Sequence, residues 1–278
     1  MNKSLAEHFT EFKRDGFTLF EGMLSVEWID HMIASFEDLQ ARAQHVDGQD
    51  KNVLTNVLEN KADYVLPSLT NTKLLNFAEM VVGPHIQLES TTFRRTPPQD
   101  KKQKGVLGYH RDMFAQFPEE GVYHRPMLFN SLGYLQDLND ENGPLRIIPG
   151  SHMKAMEIVP ADRHKHHKDE LVLYPKAGDV AVFHCSMLHT GSYNFSDEYR
   201  YLYFMTLNHS WLKHRENFDG PVCQNIIKNA RKNNDKRLLR LLGEDALFVQ
   251  RANCGFQEPD EVTWLKWIEN DKAAIVRD

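Results

Sequence analysis

The first polar and apolar alternation in the chain has a helical period. Across Ser4–Gly16, Leu5, Phe9 and Phe12 fall on one face, and Gly16 supplies a stop. The next run, FTLFEGML, alternates like a short strand. SVEWIDHMIASFEDLQARAQ then returns to a helical period, with Ser25 as N-cap and Trp28, Met32, Ile33 and Phe36 on the apolar face. Near residue 85 the texture changes. HIQLESTTFRR, MLFNSLGYLQDL, LRIIPGSH, LVLYP, GDVAVFHC and YRYLYFMTLNHSW are short runs rich in β-branched and aromatic residues. The turn signals DENGP, PGSH and KAGD separate them. CQNIIKNARKN, DKRLLRLLGED and PDEVTWLKWIENDKA are again helical. The pattern predicts a mainly β fold with flanking helices, an antiparallel barrel or jelly roll at its centre. With no internal repeat and no Pro/Gly/Ser linker, a single domain over 1–278 is expected: a mostly helical part (1–84), a β-core (85–212) and a helical part (213–278).

Composition narrows the class. The chain has 278 residues, of which 41% are hydrophobic, enough for a sizeable core. A net charge of −6 argues against a general nucleic-acid coat. Cys185, Cys223 and Cys254 are odd in number and widely spaced, a reduced pattern rather than a disulfide framework. The charged N-terminus lacks a signal-peptide core, and no apolar run is long enough to span a bilayer. The expectation is a soluble cytoplasmic protein with a small-molecule substrate and neither nucleic acid nor membrane as partner. Monomer and homodimer both stay open.

Candidate chemistry rests on two His-x-Asp pairs. His167 and Asp169 lie in DRHKHHKDE, polar throughout, which reads as an exposed loop. His110 and Asp112 are flanked by apolar residues on both sides. In an extended segment they point to one face while Arg111 points to the other. Alone, such a pair fits a hydrogen-bonded couple as well as a metal site. A third ligand is available in GDVAVFHCSMLHTGSYNFSDEYR, where His184 lies inside a strand and His189 follows the strand end. Two histidines and one carboxylate on one face suit Fe(II) and leave coordination positions open for an oxo-acid and dioxygen. Arg200, eleven residues after His189, is a candidate anchor for a carboxylate. No H-E-x-x-H zinc motif is present.

In combination these segments resemble the phytanoyl-CoA dioxygenase family of Fe(II)/2-oxoglutarate oxygenases. FKRDGFTLFEGMLSVEWID is similar to the family's opening segment, YHRD to its H-x-D, and DENGPLRIIPGSH to its turn and strand. GDVAVFHCSMLHTGSYNFSDEYR is similar to its distal segment, with Asn194, Ser196 and Arg200 at family offsets from His189. The resemblance covers most of the chain and implies a double-stranded β-helix (jelly-roll, cupin-like) core. It implies that His110, Asp112 and His189 bind Fe(II) and that Arg200 holds 2-oxoglutarate, with O2 as oxidant. Succinate and CO2 would be released as an unactivated C–H bond is hydroxylated. Halogenating relatives lack the acidic ligand, so Asp112 favours hydroxylation. The family often carries serine two residues after the distal histidine. Here Gly191 stands there and Ser192 follows, making Ser192 the nearby hydroxyl for a cosubstrate contact. Thr92 and Asn130, on strands expected to line the barrel, are further cosubstrate candidates. Gly143 and Pro149 read as turn residues.

The substrate is less legible. FRRTPPQDKKQKG brings Arg94, Arg95, Lys101, Lys102 and Lys104 up to the His-x-Asp pair, as an attraction for an anion or as a solvated loop. Arg94, Arg111 and Arg125 are the substrate-binding candidates, with His124 near the mouth. The expected substrate is a small polar or anionic metabolite: amino-acid-like, an aminophosphonate or a natural-product intermediate. Alternatives are an acyl-CoA hydroxylase of the same family, and a cupin-like metal enzyme or binding protein that does not use 2-oxoglutarate. Nucleic-acid demethylation is disfavoured by the charge and by the lack of a basic-aromatic reading surface.

Overall fold

The computed structural model describes residues 3–42, 50–113, 117–252 and 258–276. Cys254, the end of the second predicted helix and the 114–116 flank of the His-x-Asp pair lie outside them. The chain divides into two compact units, Met1–Leu54 with Thr92–Phe204, and Thr55–Thr91 with Met205–Asp278.

In the first unit, helix α1 (Leu5–Asp15) begins at Ser4, which forms a reciprocal capping box with Glu7. It ends at Gly16, whose φ of 84° lets its N–H close on the Phe12 carbonyl. The face it buries carries His8 and Phe12 rather than Leu5 and Phe9. His8 is held by the Thr18 hydroxyl at 2.8 Å and stacks on Phe20, so a polar residue fills the i+3 position of the face that carries Leu5, Phe9 and Phe12. Strand β1 (Phe17–Phe20) follows. In α2 (Val26–Arg42), the Trp28 N–H donates to the Ser25 hydroxyl at 3.2 Å, as a cap should. Ile29, Met32 and Phe36 form its buried stripe, while Trp28 and Ile33 are only half covered.

The strands are β2 (Val53–Thr55), β3 (Ile86–Thr96), β4 (Leu128–Tyr134), β5 (Leu145–Ile147), β6 (Leu171–Leu173), β7 (Val180–His184), β8 (His189–Gly191) and β9 (Arg200–His209). They form a six-stranded sheet in the order β1-β7-β4-β9-β3-β2 and a three-stranded sheet in the order β6-β5-β8. β7 pairs antiparallel with β1 and β4, and β5 with β8: Phe17 faces Phe183, Asn130 faces Phe183 from the other side, and Ile147 faces His189. Between the sheets lies one apolar cluster of Phe17, Leu132, Tyr134, Leu145, Ile147, Phe183 and Leu202. This is the predicted jelly-roll core. β8 is a separate three-residue strand after a turn, where the sequence suggested only the end of β7.

Period two along β3 decides what faces this interior. Phe93 and Arg95 point outward under α2. Phe36 packs on Phe93 with ring centroids 5.0 Å apart, and Arg95 donates to both Glu37 oxygens at 2.6 and 2.8 Å. Burying a phenylalanine here stabilises by roughly 1.5–3 kcal/mol. Thr92, Arg94 and Thr96 take the opposite face, the one shared with Arg200.

The second unit holds α3 (Val57–Asn60), α4 (Ala62–Leu69), α5 (Thr72–Val82), α6 (Pro221–Lys232), α7 (Lys236–Leu241), α8 (Phe248–Arg251) and α9 (Asp260–Ala273). Three buried pairs tie it together: Arg240 with Asp271 at 2.8 Å, Arg237 with Glu79 at 2.6 Å, and His85 with Asp245 at 2.6 Å. No helix among the described residues is long and apolar enough to cross a membrane.

Candidate metal and oxo-acid site

His110 and His189 are brought together by the backbone. The His110 N–H donates to the His189 carbonyl at 3.0 Å, and the His189 N–H donates back at 3.1 Å. Two residues on, the Asp112 N–H donates to the Cys185 carbonyl at 2.9 Å. The segment carrying His110 therefore runs as an antiparallel neighbour of β8, and Asp112 turns in beside the pair.

The three side chains converge. Asp112 Oδ1 lies 3.4 Å from His110 Nε2 and 3.6 Å from His189 Nε2. The ligand atoms all fall within 4.8 Å of one another, and among the described residues no other group of this kind is found. Each histidine is oriented from behind. His110 Nδ1–H donates to the Gly108 carbonyl at 3.0 Å, and His189 Nδ1–H to the Met187 carbonyl at 3.1 Å. Fixing the proton on Nδ1 leaves the Nε2 lone pair for a cation. The bond to Asp112 raises the His110 pKa, whereas burial lowers that of His189. The site opens on the His110 side: its side chain is 45% exposed, against 28% for Asp112 and 7% for His189.

His184 is no ligand. Its Nε2–H donates to the His124 carbonyl at 2.9 Å, its Nδ1 accepts from the Ser186 N–H at 3.0 Å, and burial pushes its pKa down to about 3. It is a neutral core histidine. The His167–Asp169 pair stays in a mostly exposed loop, where His167 Nδ1 accepts from the Asp169 N–H at 3.1 Å and the neighbouring His166 ring meets Glu170 at 3.0 Å. That loop is nonetheless tied down: the Arg163 and His164 carbonyls accept from the Tyr109 and Val106 N–H groups at 2.9 and 3.0 Å.

Asn130, expected among the cosubstrate contacts, instead donates from Nδ2 to Asp112 Oδ2 at 2.7 Å. It orients the carboxylate and leaves Oδ1 facing the histidines.

Arg200 is 4% exposed and charged, with burial lowering its pKa to about 10. Its Nη1 donates to the carbonyls of Asn142 and Ser192, both at 3.1 Å, and to that of Gly143; its Nη2 donates to the Thr96 hydroxyl at 3.4 Å. Its Nε has no partner, and no acidic side chain among the described residues pairs with it. A buried guanidinium that meets only neutral acceptors lacks its counter-charge. A ligand carboxylate would supply it. Gly143, at φ 86°, permits this approach, because a Cβ there would stand 2.7 Å from the Ser192 and Tyr193 carbonyl oxygens and run into the guanidinium.

The remaining predicted residues separate. Thr92 and Arg94 share the interior face of β3 with Thr96. The Ser192 hydroxyl accepts from Arg146 Nε at 2.8 Å, so it is the Ser192 carbonyl, not its hydroxyl, that meets Arg200. Arg111 is not available to a substrate: its guanidinium is spent on the carbonyls of Ser151, Ser186, Lys154 and Met156. Alternation turned it away from the metal face and into a clasp. Arg125 is half-buried with its charge beside the Tyr123 hydroxyl, and His124 pairs weakly with Glu119 at 3.9 Å.

Sequence reading missed two features. Tyr109 donates to Glu170, which also takes Arg146 at 2.5 Å, a network beside the first histidine. Thr96 was legible from the period of β3 once Thr92 was placed.

The fold and the residues have known counterparts. The family model described as Phytanoyl-CoA dioxygenase (PhyH) matches residues 12–201. An ectoine dioxygenase of Bordetella parapertussis is 24% identical over 234 residues, covering 73% of this chain and 75% of that protein. One of Nocardia farcinica is 25% identical over 195 residues, covering 64% and 62%. Among solved structures, HygX from Streptomyces hygroscopicus with nickel and 2-oxoglutarate bound aligns with a TM-score of 0.61 at 15% identity, over 75% of this chain and 88% of that one. The epimerase SnoN in complex with Fe3+, alpha ketoglutarate and nogalamycin RO aligns at 0.58 and 18%, over 74% and 84%. These structures share the jelly-roll fold.

Proposed function

Because the chain belongs to the phytanoyl-CoA dioxygenase family, we propose that His110, Asp112 and His189 hold Fe(II), that Arg200 anchors 2-oxoglutarate, and that a small polar or anionic metabolite is hydroxylated. The chain is a 2-oxoglutarate-dependent dioxygenase, with iron as its metal, 2-oxoglutarate as cosubstrate and O2 as oxidant. The observation that carries the residue assignment is the coincidence, in one unit, of the triad with a buried arginine that lacks an acid.

The donor set fits the metal: two neutral imidazoles and one carboxylate on one face, with the opposite side open. The orphaned Nε of Arg200 fits the cosubstrate's distal carboxylate. When bound, iron with its cosubstrate and O2 supplies the oxidation that couples release of succinate and CO2 to insertion of oxygen into a C–H bond. The chain's own part is to hold and to exclude. The Gly108 and Met187 carbonyls keep both imidazoles in the ligating tautomer. Asn130 fixes the carboxylate. Phe183, 4.6 Å from the His189 ring, and the apolar cluster behind it keep water from the closed side.

Similarity to ectoine dioxygenases, whose named substrate is a small polar solute, supports a metabolite of that size over an acyl-CoA. His110→Ala and Asp112→Ala should abolish both metal binding and iron-dependent succinate formation. Arg200→Ala should mainly raise the 2-oxoglutarate requirement. Undiminished turnover in Asp112→Ala would refute the assignment. A metabolite extract incubated with enzyme, Fe(II), ascorbate and 2-oxoglutarate, read by mass spectrometry for one added oxygen, identifies the substrate. Succinate release stimulated only by long-chain acyl-CoAs would sink the small-metabolite reading.

A further inference from the structure

β3 has one exposed position, and it holds an arginine. Along Ile86–Thr96 every side chain is buried or half-buried except Arg94. The exposure cannot come from the outer face, because Phe93 and Arg95 lie there beneath Phe36 and Glu37 of α2. Arg94 shares its face with Thr92 and with Thr96, whose hydroxyl receives Arg200. It is therefore open to the interior side of the sheet. Its side chain has no hydrogen-bond or ion-pair partner among the described residues. Its charge is felt by Arg200, whose protonation it opposes.

A second free arginine stands on the open side of the triad. Arg163 is exposed, its guanidinium likewise has no partner among the described residues, and its Nε lies 3.1 Å from where a Cβ on Gly108 would stand, beside His110. The nearby acids do not neutralise this pair. Glu170 is committed to Tyr109, Arg146 and His166, and Glu37 to Arg95 and Tyr201. In a chain of net charge −6, the ground around the triad carries uncompensated positive charge.

We infer that the substrate carries an oxo-acid anion, a carboxylate or a phosphonate, and that Arg94 holds it, with Arg163 drawing it in from the open side. This rests on the assignment of Arg200 to 2-oxoglutarate. Once the cosubstrate's distal carboxylate neutralises Arg200, Arg94 is the cation on that wall still lacking a counter-charge. A guanidinium binds either oxo-acid through paired N–H groups, and its binding to one fixes the orientation of the molecule attached to it. The reactive C–H bond is thereby set at a fixed distance from an anionic handle.

The test uses the full chain loaded with Co(II) and saturated with N-oxalylglycine, a non-reacting cosubstrate analogue, so that Arg200 is already occupied. Acetate, methylphosphonate and neutral acetamide are then titrated, with the visible absorption of Co(II) and calorimetry as readouts. The two anions should bind and acetamide should not. Arg94→Gln should weaken anion binding at least tenfold, Arg94→Lys by less, and Arg163→Gln should lower the on-rate and its salt sensitivity. The stronger of acetate and methylphosphonate identifies the oxo-acid. Anion binding that is absent from the wild type, or unchanged in Arg94→Gln, overturns the inference while leaving the Arg200 assignment intact. A matching loss of N-oxalylglycine affinity in Arg94→Gln reassigns Arg94 to the cosubstrate and also overturns it. Failure of the wild type to bind N-oxalylglycine at all refutes the underlying assignment as well.

Discussion

Replacing Asn130 by alanine should loosen the metal without touching a ligand. The side chain donates one hydrogen bond, of 2.7 Å, to the carboxylate oxygen of Asp112 that faces away from the histidines. A hydrogen bond to a charged acceptor contributes about 1.5–3 kcal/mol net. Asp112 is 28% exposed, so water partly replaces the lost donor and the lower half of that range applies. Since 1.4 kcal/mol is a factor of ten, metal affinity should fall roughly ten- to fortyfold. Asn130→Asp is the sharper variant. It is nearly isosteric, but it sets a second carboxylate against the first and should weaken the metal further or shift its pH dependence upward. The assay is an anaerobic titration of the metal-free protein with Co(II), followed by visible absorption, with thermal melts to confirm the fold. A dissociation constant within twofold of wild type, in a variant that melts normally, would refute the reasoning. The orientation of Asp112 would then be set by the backbone alone.

Gly143→Ala forces a left-handed φ on a residue with a side chain and drives its methyl into two carbonyls and the Arg200 guanidinium. Stability should fall by about 1–2 kcal/mol, and KM for 2-oxoglutarate should rise more than kcat falls; an unchanged KM would show that Arg200 does not depend on this turn. Glu216 should give the second unit a pH-dependent stability. Burial, with Glu89 nearby, raises its pKa from the ordinary 4.5 to about 7 despite bonds from Thr91. The folded state then holds a proton that the unfolded state has released between these values, so stability is full below about pH 4.5 and falls as pH rises through about 7. Glu216→Gln keeps the acceptor and removes the titration. Denaturant melts should show the variant gaining on wild type by about 3 kcal/mol between pH 4 and pH 8; parallel curves would disprove it.

The legible parts of this protein are those written in short-range pattern. Gly16 and Ser4 bound α1 because caps are local chemistry. β3, β4, β7 and β9 announce themselves by β-branched and aromatic runs set between turn signals. β8 does not, because three residues carry no period, and its identity as a strand comes from main-chain bonds to β5 and to the His110 segment. The choice between His184 and His189 shows the same limit. Both lie in one apolar stretch, and only the partners of their ring nitrogens separate a core histidine, whose Nε2 is taken by the distant His124 carbonyl, from a candidate ligand, whose Nε2 is left to face Asp112. Arg111 was misread for a related reason. Its partners are four carbonyls, and carbonyls have no signature in the sequence. Asn130 was placed on the right wall with the wrong neighbour, since alternation sets a face but not a contact.

The paired main-chain bonds between His110 and His189 also bear on what the metal has to hold together. A zinc finger cannot fold before its metal arrives, because the metal is the crosslink. Here the crosslink is made of peptide groups. On the proposed assignment, the segments that carry the two histidine ligands are joined by main chain as well as by the ion, so removing iron would leave that link in place.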